Sequence, residues 1–210
     1  MRRIFTFSLL AVIIFAGVGI VSVPKALLID RMLSERGVHL MAEDVREDLT
    51  GITFGGVRLF VEDGQVAVFD SVRVGLRRWG IGIEALCGDG GIYALAGYGE
   101  VKLRAISVKC LSSVGELEAD LTLKDEEMRG KLHLKGIEAG GLEADRVELF
   151  FEGDSFRGTI ERGDLRFEGG GTFRLNLRDI WKSRVKASFR GDLGKIVVEG
   201  ELKNPRFRLR

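Results

Sequence analysis

The sequence predicts a mainly β protein: an N-terminal transmembrane helix followed by a curled, mostly antiparallel sheet (half-barrel, groove or jelly-roll-like). Three observations carry that expectation. Residues Ile4 to Val23 contain no charge and are about long enough to cross a bilayer as a helix. From Val38 onward apolar residues recur with a period of two, the period of a strand with one face toward a core. Glycine and acidic corners punctuate these runs while proline is scarce, which is the pattern of short strands joined by tight turns.

Residues 1–23 read as a cytoplasmic tip and a single transmembrane helix. Arg2 and Arg3 precede the apolar run and a mixed flank of Lys25, Asp30 and Arg31 follows it. The positive-inside rule then puts the amino terminus in the cytoplasm and exports the rest. A cleaved signal peptide is the competing reading, but its apolar region would run roughly 7 to 15 residues and end in a small-x-small site. The exit Ile20-Val21-Ser22-Val23-Pro24 is a poor cleavage site, which favours an uncleaved anchor.

Residues 24–37 form an amphipathic connector helix, with Ala26, Leu27, Met32 and Leu33 set against Lys25, Asp30, Arg31, Glu35 and Arg36 and a stop at Gly37. Continuation of the membrane helix, contact with the bilayer surface and packing of one face on the domain all fit this pattern.

Residues 38–210 form one β domain, since the roughly 185 residues that follow the anchor suffice for a single domain. Strands are expected at Val38–Leu40, at Ile52 and Phe54, and at Val57, Leu59 and Val61. Asp63-Gly64 turns the chain into Gln65 to Phe69, and Val72, Val74 and Leu76 follow. Ile81 to Leu86 and Ile92 to Ala96 flank the turn at Gly88 to Gly91. Val101, Leu103 and Ala105 form the next strand, and the alternation slips by one between Ala105 and Val108, which predicts a bulge.

Leu117 to Leu123 pairs with Met128 to Leu134 across Asp125 to Glu127. Further strands hold Val147, Leu149 and Phe151; Phe156 to Ile160; Leu165 and Phe167; and, as a separate strand, Phe173 to Leu177. A short helical turn is expected around Asp179 to Ser183, before Val185 to Phe189, Ile196 and Val198, Leu202, and Phe207 and Leu209. Gly169 to Gly171 is read as a turn. Two local echoes, Glu118-Ala119-Asp120 with Glu143-Ala144-Asp145 and Phe156-Arg157-Gly158 with Phe189-Arg190-Gly191, suggest repeated hairpins of similar build.

The net charge of +1 gives no electrostatic footprint for nucleic acid or for an acidic substrate. Cys87 and Cys110 are the only cysteines. An exported domain favours a disulfide between them, and two small buried hydrophobes is the alternative. His39 and His133 stand far apart with no ligand-spaced Cys, Asp or Glu, so no metal is expected. No serine lies in a nucleophile elbow, and carboxylates alternate with Lys and Arg as surface pairs do. The chain reads as a non-enzyme that needs no cofactor.

The stretch Gly37-Val38-x-Leu40, Asp44-Val45, Leu49-x-Gly51-Ile52-x-Phe54-x-Gly56-Val57-x-Leu59 and Asp70-x-Val72-x-Val74-x-Leu76 resembles the opening of the type II secretion system protein N family. More loosely it resembles the AsmA-like group. The likeness extends to Gly90-Gly91 and to the closing Gly200-x-Leu202-x-x-Pro205-x-Phe207. The resemblance carries over no active-site residue. It implies a single-pass protein of the bacterial inner membrane with a β-rich periplasmic part, acting as an accessory component beside other secretion-system subunits.

The AsmA-like kinship implies an apolar groove that contacts phospholipid or another acyl lipid, in addition to bilayer lipid around the span. A curled sheet whose concave face carries Val57, Leu59, Val72, Val74, Leu121 and Val147 either packs shut as a core or stays open for acyl chains. A lipopolysaccharide-export component with one span and a small jelly roll shares this architecture and is a third expectation.

Overall fold

A computed structural model describes residues 25–35, 37–61, 64–139, 142–176, 182–192, 194–201 and 204–209. The expected span Ile4 to Val23 lies outside the described residues, as does most of the expected helical turn around Asp179 to Ser183. Among the described residues no helix is long and apolar enough to cross a membrane.

The described chain is one helix and fifteen strands. Helix α1 (Lys25–Ser34) leads into β1 (Val38–Met41), β2 (Asp44–Glu47), β3 (Gly51–Val61), β4 (Gly64–Arg77) and β5 (Gly80–Cys87). Then come β6 (Gly90–Gly97), β7 (Glu100–Val108), β8 (Val114–Lys124), β9 (Glu127–Ala139) and β10 (Leu142–Gly153). The last five are β11 (Ser155–Arg162), β12 (Leu165–Arg174), β13 (Arg184–Gly191), β14 (Gly194–Glu201) and β15 (Asn204–Leu209). From β3 to β15 every strand pairs antiparallel with the next in sequence, and β1 and β2 share the outer edge of β3. The sheet does not close: β1 and β2 stand at one edge and β15 at the other.

Three pairs of expected strands are single strands: β3 joins Ile52 and Phe54 to Val57 through Val61, β4 joins Gln65 to Phe69 with Val72 to Leu76, and β12 joins Leu165 and Phe167 to Phe173. The register of β3 against β4 runs unbroken through Phe54↔Val72 and Val57↔Phe69, yet the buried residues change parity between Phe54 and Val57. Gly56, at φ +59°, supplies the backbone rotation that turns both halves of the strand to the same face. The alternation slips in sequence because one strand twists, with no turn between two strands. The bulge expected between Ala105 and Val108 is present as a register shift, with Ser107 at φ +46°.

Gly169 to Gly171 corrects the sequence reading: these residues form the middle of β12, which runs on from Leu165 to Arg174, and are not a turn. A Cβ on Gly169 or Gly171 would strike the carbonyl oxygens of Ser188 and Lys186 on β13. Above this bare strip the rings of Phe156 on β11 and Phe189 on β13 approach to 6.5 Å between centroids. The glycines thus let two aromatic residues from non-adjacent strands meet across the strand that separates them. The echoed Phe-Arg-Gly segments belong to these two strands.

Buried side chains fall into three clusters along the sheet. The first joins Ile52, Phe54, Val57, Ala67, Phe69, Val72 and Ala85 and is covered at its edge by Ala26 and Ile29 of α1. The connector helix therefore packs one face on the domain, while Leu27 and Met32 stay exposed. Ala105, Val108 and Ala119 form the second, and the third centres on Val147, Phe156, Ile160, Phe167 and Phe189. Val57 and Val108 are fully buried, a state that stabilises by roughly 1.5–3 kcal/mol per aliphatic side chain.

Candidate functional site: an apolar sheet face, clasped at one end

Strand pairing lines the apolar residues up in rows that cross the whole sheet. One row runs Ile52, Val74, Ile83, Ala94, Leu103, Leu121, and continues through Gly130, Phe151, Phe156, Gly171, Ala187 and Val198. No polar side chain interrupts it. The neighbouring row, from Phe54 and Val72 through Ala85, Ile92, Ala105 and Ala119 to Leu132 and Leu149, is apolar as well. Alternation produces this outcome, because a period of two puts the alternate, mostly apolar residues of a strand on one face and antiparallel register stacks those faces.

The opposite face carries most of the charges, interspersed with exposed Tyr93, Leu95, Ile106 and Phe150. Lys135 Nζ sits 2.7 Å from Glu116 Oε2, an attraction that lowers the Glu116 pKa and raises that of Lys135. His133 lies between strands on this face, its Nδ1 3.4 Å from Glu148, and His39 is exposed on β1. A cavity of about 750 Å³ is bordered by Asp120, Arg129, Lys131 and Phe150 and also by Phe151 and Phe156 of the apolar row. Acids and bases are mixed there, and Arg129 is already paired with Glu127 at 3.0 Å. Among the described residues no cluster of His, Cys, Asp or Glu could hold a metal ion.

The two ends of the apolar face differ. At one end β4 extends past its pairing with β5, which stops at Ser71↔Leu86. The link between β7 and β8 folds back over this free edge: Val68 N donates to Cys110 O and Ser112 N donates to Val66 O, each at 3.0 Å. Leu111 thereby bridges Ala67. Cys87, at the end of β5, is joined to Cys110 by a disulfide with Cα atoms 6.0 Å apart. The hydrogen-bonded circuit from β4 through β5, β6 and β7 back to β4 closes this end, and Ala67, Phe69, Ala85, Ala105 and Val108 are buried behind it. The β5–β6 turn there is tied down by Asp70, whose Oδ2 accepts from Gly88 N at 2.7 Å, and the same device recurs at Asp145 and Gly163, 2.6 Å.

Among the described residues the other end has no clasp. Its last apolar row comprises Leu76, Ile81, Ala96, Val101, Leu123 and Met128. Leu76 is 68% exposed, Ile81 51% and Ile83, one row in, 43%. Beyond them project two turns that carry aromatic rings, Trp79 between β4 and β5 and Tyr98 between β6 and β7, 6.1 Å apart. The Arg78 guanidinium lies 4.9 Å above the Trp79 ring. Tyr98, 86% exposed at φ +49°, occupies a left-handed turn position where glycine is the usual residue.

The groove residues expected from the sequence do not form one surface. Val57, Val72 and Val147 are buried at 0%, 9% and 6% exposure and belong to packed cores, so they cannot touch a ligand. Leu59, Val74 and Leu121 are half-buried and lean on two of those cores. The accessible apolar surface is made instead by Leu76, Ile81, Ile83 and Val101, with half-buried Ala94, Leu103 and Leu121 beneath. A signal for it stood in the sequence: Arg77-Arg78-Trp79-Gly80 and Gly97-Tyr98-Gly99 put large aromatic residues into tight turns, where nothing in the fold demands them.

The fold is an open antiparallel β sheet with one face of apolar rows and a second face that carries most of the charges. No protein-family model matches the chain, and no solved structure matches it. It is similar to an uncharacterized protein of Aquifex aeolicus (strain VF5), 27% identical over 208 residues, a match that covers 97% of this chain and 93% of that one.

Proposed function

We propose that the protein is a membrane-anchored, non-enzymatic module that holds acyl chains of phospholipid, or of a related lipid, against the unclasped end of its apolar sheet face. One observation carries this reading: an unbroken apolar row crosses the sheet, and at β4 to β8 its residues are exposed or half-exposed. Contiguous apolar surface of this kind is rare on proteins that do not bind something there. Its chemistry matches a hydrocarbon chain, because every contact it offers is apolar and none fixes a direction. The apolar run Ile4 to Val23 would hold the module beside its lipid source. The resemblance to AsmA-like proteins supports the same reading.

Photo-crosslinking from the full-length protein in native membranes tests it. A photoreactive residue at Ile83 or Leu121 is expected to capture lipid, and one at Phe150 on the polar face is not. Equal labelling at the three positions, or none at Ile83 and Leu121, would refute the groove.

A second reading rests on the two open edges. Strand β15 pairs only with β14, and β1 and β2 only with β3, so both edges present unpaired backbone groups. Such edges accept a strand from a partner, which gives an accessory role in type II secretion a mechanism. Cross-linking from β15 to secretion-system subunits is its expected sign; its absence in a strain with an active secretion system counts against this role.

A further inference from the structure

The geometry points to a docking surface for the lipid bilayer: we infer that the Trp79 and Tyr98 turns, with Leu76 and Ile81 behind them, insert into the interface of the membrane that anchors the chain. This rests on the anchored reading above but not on lipid occupying the groove.

The position at which the chain enters the domain fixes which end faces the membrane. Ala26 N donates to Glu47 Oε1 at 3.1 Å, and Glu47 pairs with Ile52, in the row that also holds Val74 and Ile83. From there α1 runs away from the unclasped end, because β1 begins opposite Val61 at the far end of β3. Lys25, the first described residue, therefore lies toward the unclasped end.

The turn at Arg78 stands four residues beyond Val74 along β4, about 13 Å at the rise of a strand. Sideways it is two to three strand spacings from β2, about 12 Å. A span emerging at Lys25 thus brings the Trp79 turn level with or past its own membrane exit. The interfacial layer is roughly 5–8 Å deep on each side of the hydrocarbon core, so this projection suffices to reach it.

The composition of the turns matches that depth. Trp and Tyr settle where one part of the ring meets acyl chains and the polar atom meets water. Arg77 and Arg78 add positive charge suited to anionic head groups. Among the described residues the clasped end carries no comparable set: its turn at Cys87 to Gly90, for example, holds Gly88 and Asp89.

Full-length protein reconstituted into phosphatidylcholine and phosphatidylglycerol vesicles provides the test, with lipids brominated near the head group as quenchers. Emission from Trp79 is taken as the difference between the wild-type chain and Trp79→Phe, and independently from Trp181→Phe, in which Trp79 is the sole tryptophan. We expect brominated lipid to remove more than half of the Trp79 emission while aqueous iodide removes little, and Leu76→Asp with Ile81→Asp to reverse that ratio. Full quenching by iodide with no effect of brominated lipid would overturn the inference. Lipid capture at Leu121 without quenching of Trp79 would leave the groove standing and remove the docking; quenching of Trp79 without capture at Leu121 would do the opposite.

Discussion

Replacing Cys87 and Cys110 together by alanine should destabilise the domain by about 3 kcal/mol. The two residues are 23 apart in sequence. The chain-entropy relation for a loop of that length gives roughly 11 cal/mol/K, which is about 3.4 kcal/mol at 25 °C. Alanine is chosen over serine because both sites pack against the core of Phe69, Val72 and Ala85, where an added hydroxyl would confuse the result. The cross-link also holds the strand-like pairing of Cys110 and Ser112 with Val68 and Val66, so part of the loss should appear as local opening. For a chain of this size the cost corresponds to a fall in melting temperature of roughly 10 °C. Thermal melts followed by the β-sheet circular dichroism signal, on the double variant and on wild type with and without reductant, measure it. An unchanged midpoint in both would refute the idea that this clasp seals the end of the sheet.

Other perturbations separate the packed face from the open one. Val57→Ala removes two methyl groups from a fully buried site and should cost about 2 kcal/mol in a urea titration. Leu76→Ser, on the exposed rim, should change stability by less than about 0.5 kcal/mol while it weakens lipid quenching of Trp79. Gly171→Val would drive its side chain into the carbonyl of Lys186 and should cost at least about 1–3 kcal/mol, read from the same titration. The Asp48 carboxylate accepts from the Thr50 hydroxyl, Thr50 N and Gly51 N at 2.7, 2.7 and 2.8 Å, and these bonds lower its pKa. Its contribution is therefore present above the ordinary value of 3.8 and lost as pH falls through the depressed folded-state value. Asp48→Ala should melt earlier than wild type at neutral pH, and the difference should vanish in strong acid.

Much of the architecture was legible because alternation is a strong signal when only one face of a sheet is buried. The strands around Ile81, Ile92, Leu103, Leu121 and Leu132, and the bulge before Val108, follow directly from it. Glycine was the ambiguous symbol. At Gly88 it makes a turn, at Gly56 it rotates a continuous strand, and at Gly169 to Gly171 it clears space for Phe156 and Phe189. Local sequence does not distinguish these uses, since the deciding partner sits one or two strands away.

The candidate site was half legible for a related reason. Alternation identifies Val57, Val72 and Val147 as inward-facing, yet whether an inward residue is covered depends on how tightly the sheet coils. The segment that packs on the cluster of Val57 and Phe69, Cys110 to Ser112, comes from about forty to fifty-five residues downstream. Trp79 and Tyr98 were visible as residues out of place in turns, but their neighbourhood exists only once β4 to β7 are assembled.

Because each strand after β3 binds the one made just before it, the sheet has almost no topological memory. Its strand pairings are between sequence neighbours, a property that favours progressive, hairpin-by-hairpin folding. Beyond the clasped stretch from β4 to β8, inserting or deleting a hairpin would leave the other neighbour relations intact and widen or narrow the ribbon by two strand spacings, about 9–10 Å. The breadth of the hydrophobic lane is thus an adjustable quantity, set by how many hairpins the gene encodes.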